Sequence, residues 1–165
     1  MYVIMEILIS GVRHSLFMKM DSSLSVLWEL SFNEPSNIDQ VKITQDKSTL
    51  VFSLEDPSTC KVGKVNTSNG SLSLLKVINS ADNCKRTVLN SVETKVYVSG
   101  FIGVVPHMFV LNFADLSVLS VFEISMSSIE SIATFGSDSN SNRLLVNSFL
   151  MTTDTKVTTA VINLD

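Results

Sequence analysis

Three stretches decide the reading of this chain: "SSLSVLWEL" at 22–30, "GSLSLLKVI" at 70–78 and "ADLSVLSVF" at 114–122. Aligned on their shared Leu-Ser core, Leu24, Leu72 and Leu116 coincide, at intervals of 48 and 44 residues. Self-similarity at this period is the mark of a repeat architecture. The likeness extends backwards. A turn precedes each stretch: "MDSS" at 20–23, "NTSNGS" at 66–71 and "NFAD" at 112–115. Before each turn lies a short apolar strand: "SLFMKM" at 15–20, "KVGKV" at 61–65 and "HMFVL" at 107–111, with a fourth copy in "TTAVINLD" at 158–165.

Further back, "EILISG" at 6–11 resembles "KVYVSG" at 95–100, and "TLVFSLE" at 49–55 and "RLLVNSF" at 143–149 take the same place. A first strand precedes three of the four units: "QVKIT" at 40–44, "RTVLN" at 86–90 and "SIATF" at 131–135. These runs carry Val, Ile, Leu, Phe and Thr, which suit a pleated, half-buried surface. No amphipathic helical pattern stands out. Four short strands in about 45 residues is the length and content of a β-propeller blade. The chain is therefore read as all-β, an array of four-stranded antiparallel blades over 1–165: a partial blade at 5–32, whole blades at 40–78 and 86–124, and a partial blade at 131–165. The strands number three, four, four and three, or 14 in about three and a half blades. A ring that opens and closes in mid-blade leaves bare sheet edges, so the expectation is a fragment of a longer propeller or a ring completed by other chains. The recurring Leu-Ser stretch is then the outermost strand of each blade, repeated for packing and not as an active site.

"MDSSLSVLWEL" and "VNTSNGSLSLLKV" resemble the blade signature of PQQ-like, or quinoprotein-alcohol-dehydrogenase-like, propellers: an apolar strand, Asp, a tight turn, then apolar residues and Trp. Asp21 and Trp28 match in one copy, and Asn69 and Gly70 supply the turn in another. The third copy has Ala114 and Asp115 but no Trp. The Gly-His and Trp-Asp marks of WD-repeat blades are absent. Enzymes of the quinoprotein family hold a cofactor beside acidic calcium ligands. No such motif is found here, so the resemblance implies the fold and no cofactor.

Composition narrows the function classes. Charged residues make up 17 %, 26 residues are serine, and the net charge is −4. No run of Lys or Arg occurs, which argues against nucleic acid and anionic membrane surfaces as partners. The stretch 96–114 is uncharged over 19 residues. That is near membrane-spanning length, but it falls in register with charged segments of the other repeats and is not expected to insert. The opening "MYVIMEILIS" lacks a basic flank and a cleavage site, so no signal peptide is expected.

Few residues suggest chemistry. Cys60 and Cys84 are too few for a zinc site. Cys60 is expected in the connection between the second and third strands of one blade, and Cys84 in the connection to the next blade. These connections share a face of the disc, so a disulfide is within reach; two unrelated loop thiols are the alternative. A bond implies an oxidising compartment, extracellular or lumenal. Asn66 and Asn69 each begin an Asn-x-Ser triplet on the outer hairpin, candidates for N-glycosylation; a serine-rich chain also produces such triplets by chance. His14 and His107 sit at the starts of third strands in non-adjacent blades and read as loop histidines. Glu55 and Asp56 are placed in one face's loop and Asp138 in the other's, so paired-carboxylate chemistry is not expected. Trp28 reads as a blade-to-blade packing residue. No catalytic, cofactor or metal residue is assigned.

The expected function is a non-catalytic protein-interaction or scaffold module, partnered by another protein or by the remaining blades of its own propeller. One alternative is a secreted or cell-surface recognition domain. Another is a fragment of a propeller enzyme whose catalytic residues lie outside this chain.

Overall fold

A computed structural model describes residues 1–32, 37–56, 59–90, 92–124, 131–137, 143–150 and 156–163. Among them every regular element is a strand. β1 (Tyr2–Ile9), β2 (Val12–Met20) and β3 (Val26–Ser31) form the first sheet. β4 (Asn37–Ile43), β5 (Thr49–Asp56), β6 (Thr59–Asn66) and β7 (Leu72–Ile78) form the second. β8 (Asn83–Leu89), β9 (Lys95–Ile102), β10 (Val105–Asn112) and β11 (Val118–Glu123) form the third. β12 (Ser131–Ser137), β13 (Arg143–Leu150) and β14 (Lys156–Asn163) form the last. All pairs are antiparallel and joined in chain order. The sheets stack side by side through their first strands: β8 lies against β4, β5 and β6 on one side and β12 on the other, and β2 meets β4.

Backbone irregularities recur and fix the true repeat. The hairpin into each outermost strand has a bulge at the same place: Lys19/Met20, Lys64/Val65 and Val110/Leu111. Just beyond it one residue is left-handed: Leu24 at φ 64°, Gly70 at 73° and Leu116 at 55°. The structural equivalents are therefore Leu24, Gly70 and Leu116, at intervals of 46 and 46 residues. The alignment of Leu72 with the two leucines is two residues out of step: Leu72 is a strand residue opposite Val65, matching Val26 opposite Met20 and Val118 opposite Leu111. The letters misled because leucine twice takes a conformation that favours glycine, while the second blade repeats Leu-Ser two residues later, in the strand.

Two other expectations move. β1 begins at Tyr2, so Ser10-Gly11 is a hairpin turn, whereas Ser99-Gly100 lies inside β9. Met5, opposite Leu16 in the first sheet, is the counterpart of Gly100. Glu55 and Asp56 belong to β5 and not to a loop; Asp138 lies outside the described residues. The uncharged stretch 96–114 is two adjacent middle strands, β9 and β10, almost wholly buried between neighbouring sheets. A strand covered on both faces reads as a continuous apolar run. No helix among the described residues is long and apolar enough to cross a membrane.

Two cores fill the joints. Phe17, Trp28, Ile38, Leu50, Phe52, Leu54 and Val65 pack between the first and second sheets. Val51, Val62, Ile78, Val96, Val98, Phe109, Leu111 and Leu116 pack between the second and third, around Cys60 and Cys84. Each fully buried large side chain contributes about 1.5–3 kcal/mol. Phe52 lies over Gly63, where an added Cβ would meet the ring at 2.3 Å.

Candidate functional site

Every sheet has a leading face, turned toward the sheet before it. In the second sheet that face carries Leu50, Phe52, Leu54 and Val65; in the third, Val96, Val98, Phe109 and Leu111. Pairing register carries these positions to the first sheet as Met1, Val3, Met5, Met18 and Met20, with Leu24 at the turn. There Met1 is 63 % exposed, Met5 42 % and Leu24 65 %, against 2 % for Leu50, 2 % for Leu54 and 0 % for Leu116. Met18 and Met20 are half-buried. The leading face of the first sheet thus reproduces, uncovered, a surface that the same chain buries twice. The outer edge of β1 is also unpaired among the described residues, whereas β5 and β9 carry β4 and β8 there.

Four of the chain's seven methionines sit on this one face. Methionine is unbranched and polarizable, and its side chain adapts to varied partners. Sequence reasoning passed over the cluster; its signal was four methionines within the first 20 residues of a chain that has seven.

The joint between the first and second sheets is polar at two points. Ser15 Oγ accepts the Ile38 N–H at 3.1 Å. At the rim, Trp28 Nε1 and Lys19 Nζ donate to the Thr67 carbonyl at 3.0 and 2.8 Å. The Trp28 indole lies on Gly70, whose added Cβ would stand 2.6 Å from it, so Trp28 packs between sheets as expected. The next joint repeats the rim contact: Lys64 Nζ donates to the carbonyls of Phe113 and Ala114 at 2.9 and 2.7 Å. Burial lowers the Lys64 pKa, with Asp115 opposing it.

At the inner point of this second joint, Cys60 and Cys84 form a disulfide with Cα atoms 4.8 Å apart. Both are fully buried. They sit on strands, not in connections as expected: each is the second residue of its strand, β6 and β8, because those strands start two to three residues earlier than their apolar letters suggest. Cys60 and Cys84 occupy the places of Ser15 and Ile38, as their shared pairings show. One joint is held there by a hydrogen bond and the next by a covalent bond.

The remaining candidates do not converge. Asn66, the last residue of β6, and Asn69, on the turn to β7, are exposed. Their side-chain oxygens accept the N–H groups of Ser68 at 2.8 Å and Ser71 at 3.0 Å. His14 and His107 lie on different sheets, each bonded to a nearby carbonyl, of Phe32 and Val105 respectively. Hydrogen bonds hold the carboxyls of Asp21, Asp46 and Asp115 below their usual range, with the hydroxyls of Ser23 and Thr44 the largest causes for the first two and the Ser117 N–H for the third. These are turn-capping acids. No cluster of three metal-binding side chains exists among the described residues.

No family model matches the sequence, and no curated protein sequence matches it. Solved structures do match. The β-propeller domain of the trilobed protease from Pyrococcus furiosus superposes with a TM-score of 0.65 at 11 % identity, over 98 % of this chain and 50 % of that one. The chain is a stack of β-propeller blades. A dihydro-haem d1 dehydrogenase gives 0.65 at 13 % identity, over 98 % of this chain and 34 % of that one. Hydrazine synthase from Kuenenia stuttgartiensis gives 0.61 at 12 % over 84 % and 46 %. The chain spans half of the first of these structures and about a third of the second. At such identities the likeness is one of fold, and function is argued from the site.

Proposed function

We propose that this chain is a non-catalytic protein-interaction or scaffold module, and that the methionine-rich leading face of its first blade is where it joins its partner. One observation carries this reading: the positions of Met1, Met5 and Leu24 are open, while their counterparts Leu50, Leu54, Gly70 and Leu116 are buried against a preceding blade. What covers the counterparts is the back of an antiparallel sheet. The partner is therefore a surface of that kind, from another protein or from the remaining blades of the same propeller. A patch of this character normally marks an interaction site. The blades belong, on this proposal, to the PQQ-like kind, with Asp21 capping the turn and Trp28 packing on the next blade's Gly70.

Methionine oxidation tests the reading. A brief peroxide pulse on the isolated 165-residue chain is expected to oxidise Met1 and Met5 and to spare Met108, which is fully buried. In the assembly recovered from source cells, Met1 and Met5 are expected to be spared too. Equal oxidation of Met5 in both preparations would remove the proposal.

A second reading, a secreted or cell-surface recognition domain, draws support from the buried Cys60–Cys84 bond, since disulfides persist in oxidising compartments.

A further inference from the structure

The turn from β6 to β7 spends one side-chain oxygen at residue 66 and leaves a nitrogen idle. Asn66 Oδ1 accepts the Ser68 N–H at 2.8 Å and the Ser68 hydroxyl at 2.6 Å. The first blade makes the same turn with a carboxylate: Asp21 Oδ1 takes the Ser23 N–H at 2.8 Å and its hydroxyl at 2.7 Å. In the third blade Asn112 Oδ1 takes the Ala114 N–H at 2.9 Å. An oxygen is all the fold requires there. The Asn66 Nδ2 makes no hydrogen bond among the described residues, and Asn66 and Ser68 are exposed.

The residue between them is held from below. Thr67 is buried, its carbonyl bonded to Lys19 and Trp28, and its hydroxyl donates to the Lys47 carbonyl at 2.6 Å. The segment is anchored on the inside and presents Asn66 on the outside. The Ser68 hydroxyl thus fixes the Asn66 amide by its oxygen and leaves Nδ2 facing outward. Among the described residues the Asn69 oxygen takes the Ser71 N–H alone, at 3.0 Å, so its side chain is held by one bond.

We propose that Asn66 is the N-glycosylation site of this chain. The Asn66 Nδ2 bonds to the anomeric carbon of an oligosaccharide carried on a polyisoprenyl diphosphate. The bond from that carbon to the diphosphate breaks, the diphosphate leaves with the electron pair, and Nδ2 loses one proton to a base of the transferase. The proposal rests on the extracellular or lumenal reading, because both the transfer and the Cys60–Cys84 bond belong to an oxidising lumen. A glycan on this rim turn also hinders outer strands such as β7 from pairing edge to edge with other molecules.

The test is secretion of the full chain behind an added cleavable signal peptide from cultured eukaryotic cells, followed by enzymatic glycan release in heavy-oxygen water and peptide mass mapping. The expected result is a glycan on Asn66, abolished by Ser68→Ala and retained in Asn69→Gln. Asn66→Asp controls for folding, since Asp21 shows that a carboxylate makes the same turn. Occupancy of Asn69 alone, or of neither asparagine, overturns the proposal. Non-reducing mapping of the same sample separates the two levels. An intact Cys60–Cys84 bond without a glycan sinks the site alone; free thiols without a glycan sink the compartment reading as well.

Discussion

Removing the disulfide offers the sharpest quantitative prediction. Cys60 and Cys84 are separated by 24 residues in sequence and tie β6 of one blade to β8 of the next. Opening a loop of that length releases about 3.5 kcal/mol of chain-entropy restraint in the unfolded state. For a chain of this size each kcal/mol moves Tm by about 2–4 °C, so Cys60→Ala/Cys84→Ala is expected to lose about 7–14 °C. The first joint shows what the same place does without sulfur: Ser15 Oγ accepts the Ile38 N–H at 3.1 Å. Cys60→Ser/Cys84→Ile copies that joint and should recover about 1 kcal/mol, the worth of one hydrogen bond. Conversely, Ser15→Cys/Ile38→Cys should close a second cross-link and stabilise by a similar few kcal/mol, about 3. Urea and thermal unfolding, with non-reducing peptide mapping to confirm each bond, measure all three. If the double-alanine variant unfolds within about 1 kcal/mol of the parent, the bond does not hold the blades together and the reasoning fails.

Three further outcomes follow from the joints and turns. Trp28→Ala should cost about 3–5 kcal/mol in urea unfolding, because it empties the space over Gly70 and takes a donor from the Thr67 carbonyl. Gly100→Ala should cost about 2–3 kcal/mol, since its Cβ would fall 2.3 Å from the Asn83 carbonyl oxygen, a backbone atom. The Asp46 carboxyl, bonded first by the Thr44 hydroxyl and then by Ser48, titrates in the folded chain at about 2, below its ordinary 3.8. Its contribution to stability is whole above pH 3.8 and disappears as pH falls through about 2. Carbon-detected NMR titration reads the midpoint, and a value near 3.8 would contradict the capping geometry.

The strand count, the hairpins and the chain-order pairing were legible because strand letters and turn letters alternate plainly. "TLVFSLE" opens β5 at Thr49, as its apolar run implies. What letters could not give was register. Leu24 and Leu116 hold a left-handed conformation that glycine takes in the second blade, so identical residues did not mark identical places. Strand ends were also too short on paper. Asn37 and Asn83 pair as strand residues because a neighbouring strand offers partners, although their own propensity is for turns. The open face was invisible for a related reason. Met1, Met5, Met18 and Met20 look like ordinary core residues until the buried counterparts of the later blades reveal which side of the sheet they occupy.

The claim on which everything turns is that the first blade repeats the third but lacks its covering neighbour. Leu24 and Leu116 share a backbone conformation, one 65 % exposed and the other fully buried. Urea unfolding of Leu24→Lys beside Leu116→Lys, in the isolated chain, measures the difference directly. The account predicts a change within about 0.5 kcal/mol for the first, an ordinary surface substitution, and a loss of about 4 kcal/mol or more for the second, which buries an unpaired charge. Equal losses in the two variants would contradict it.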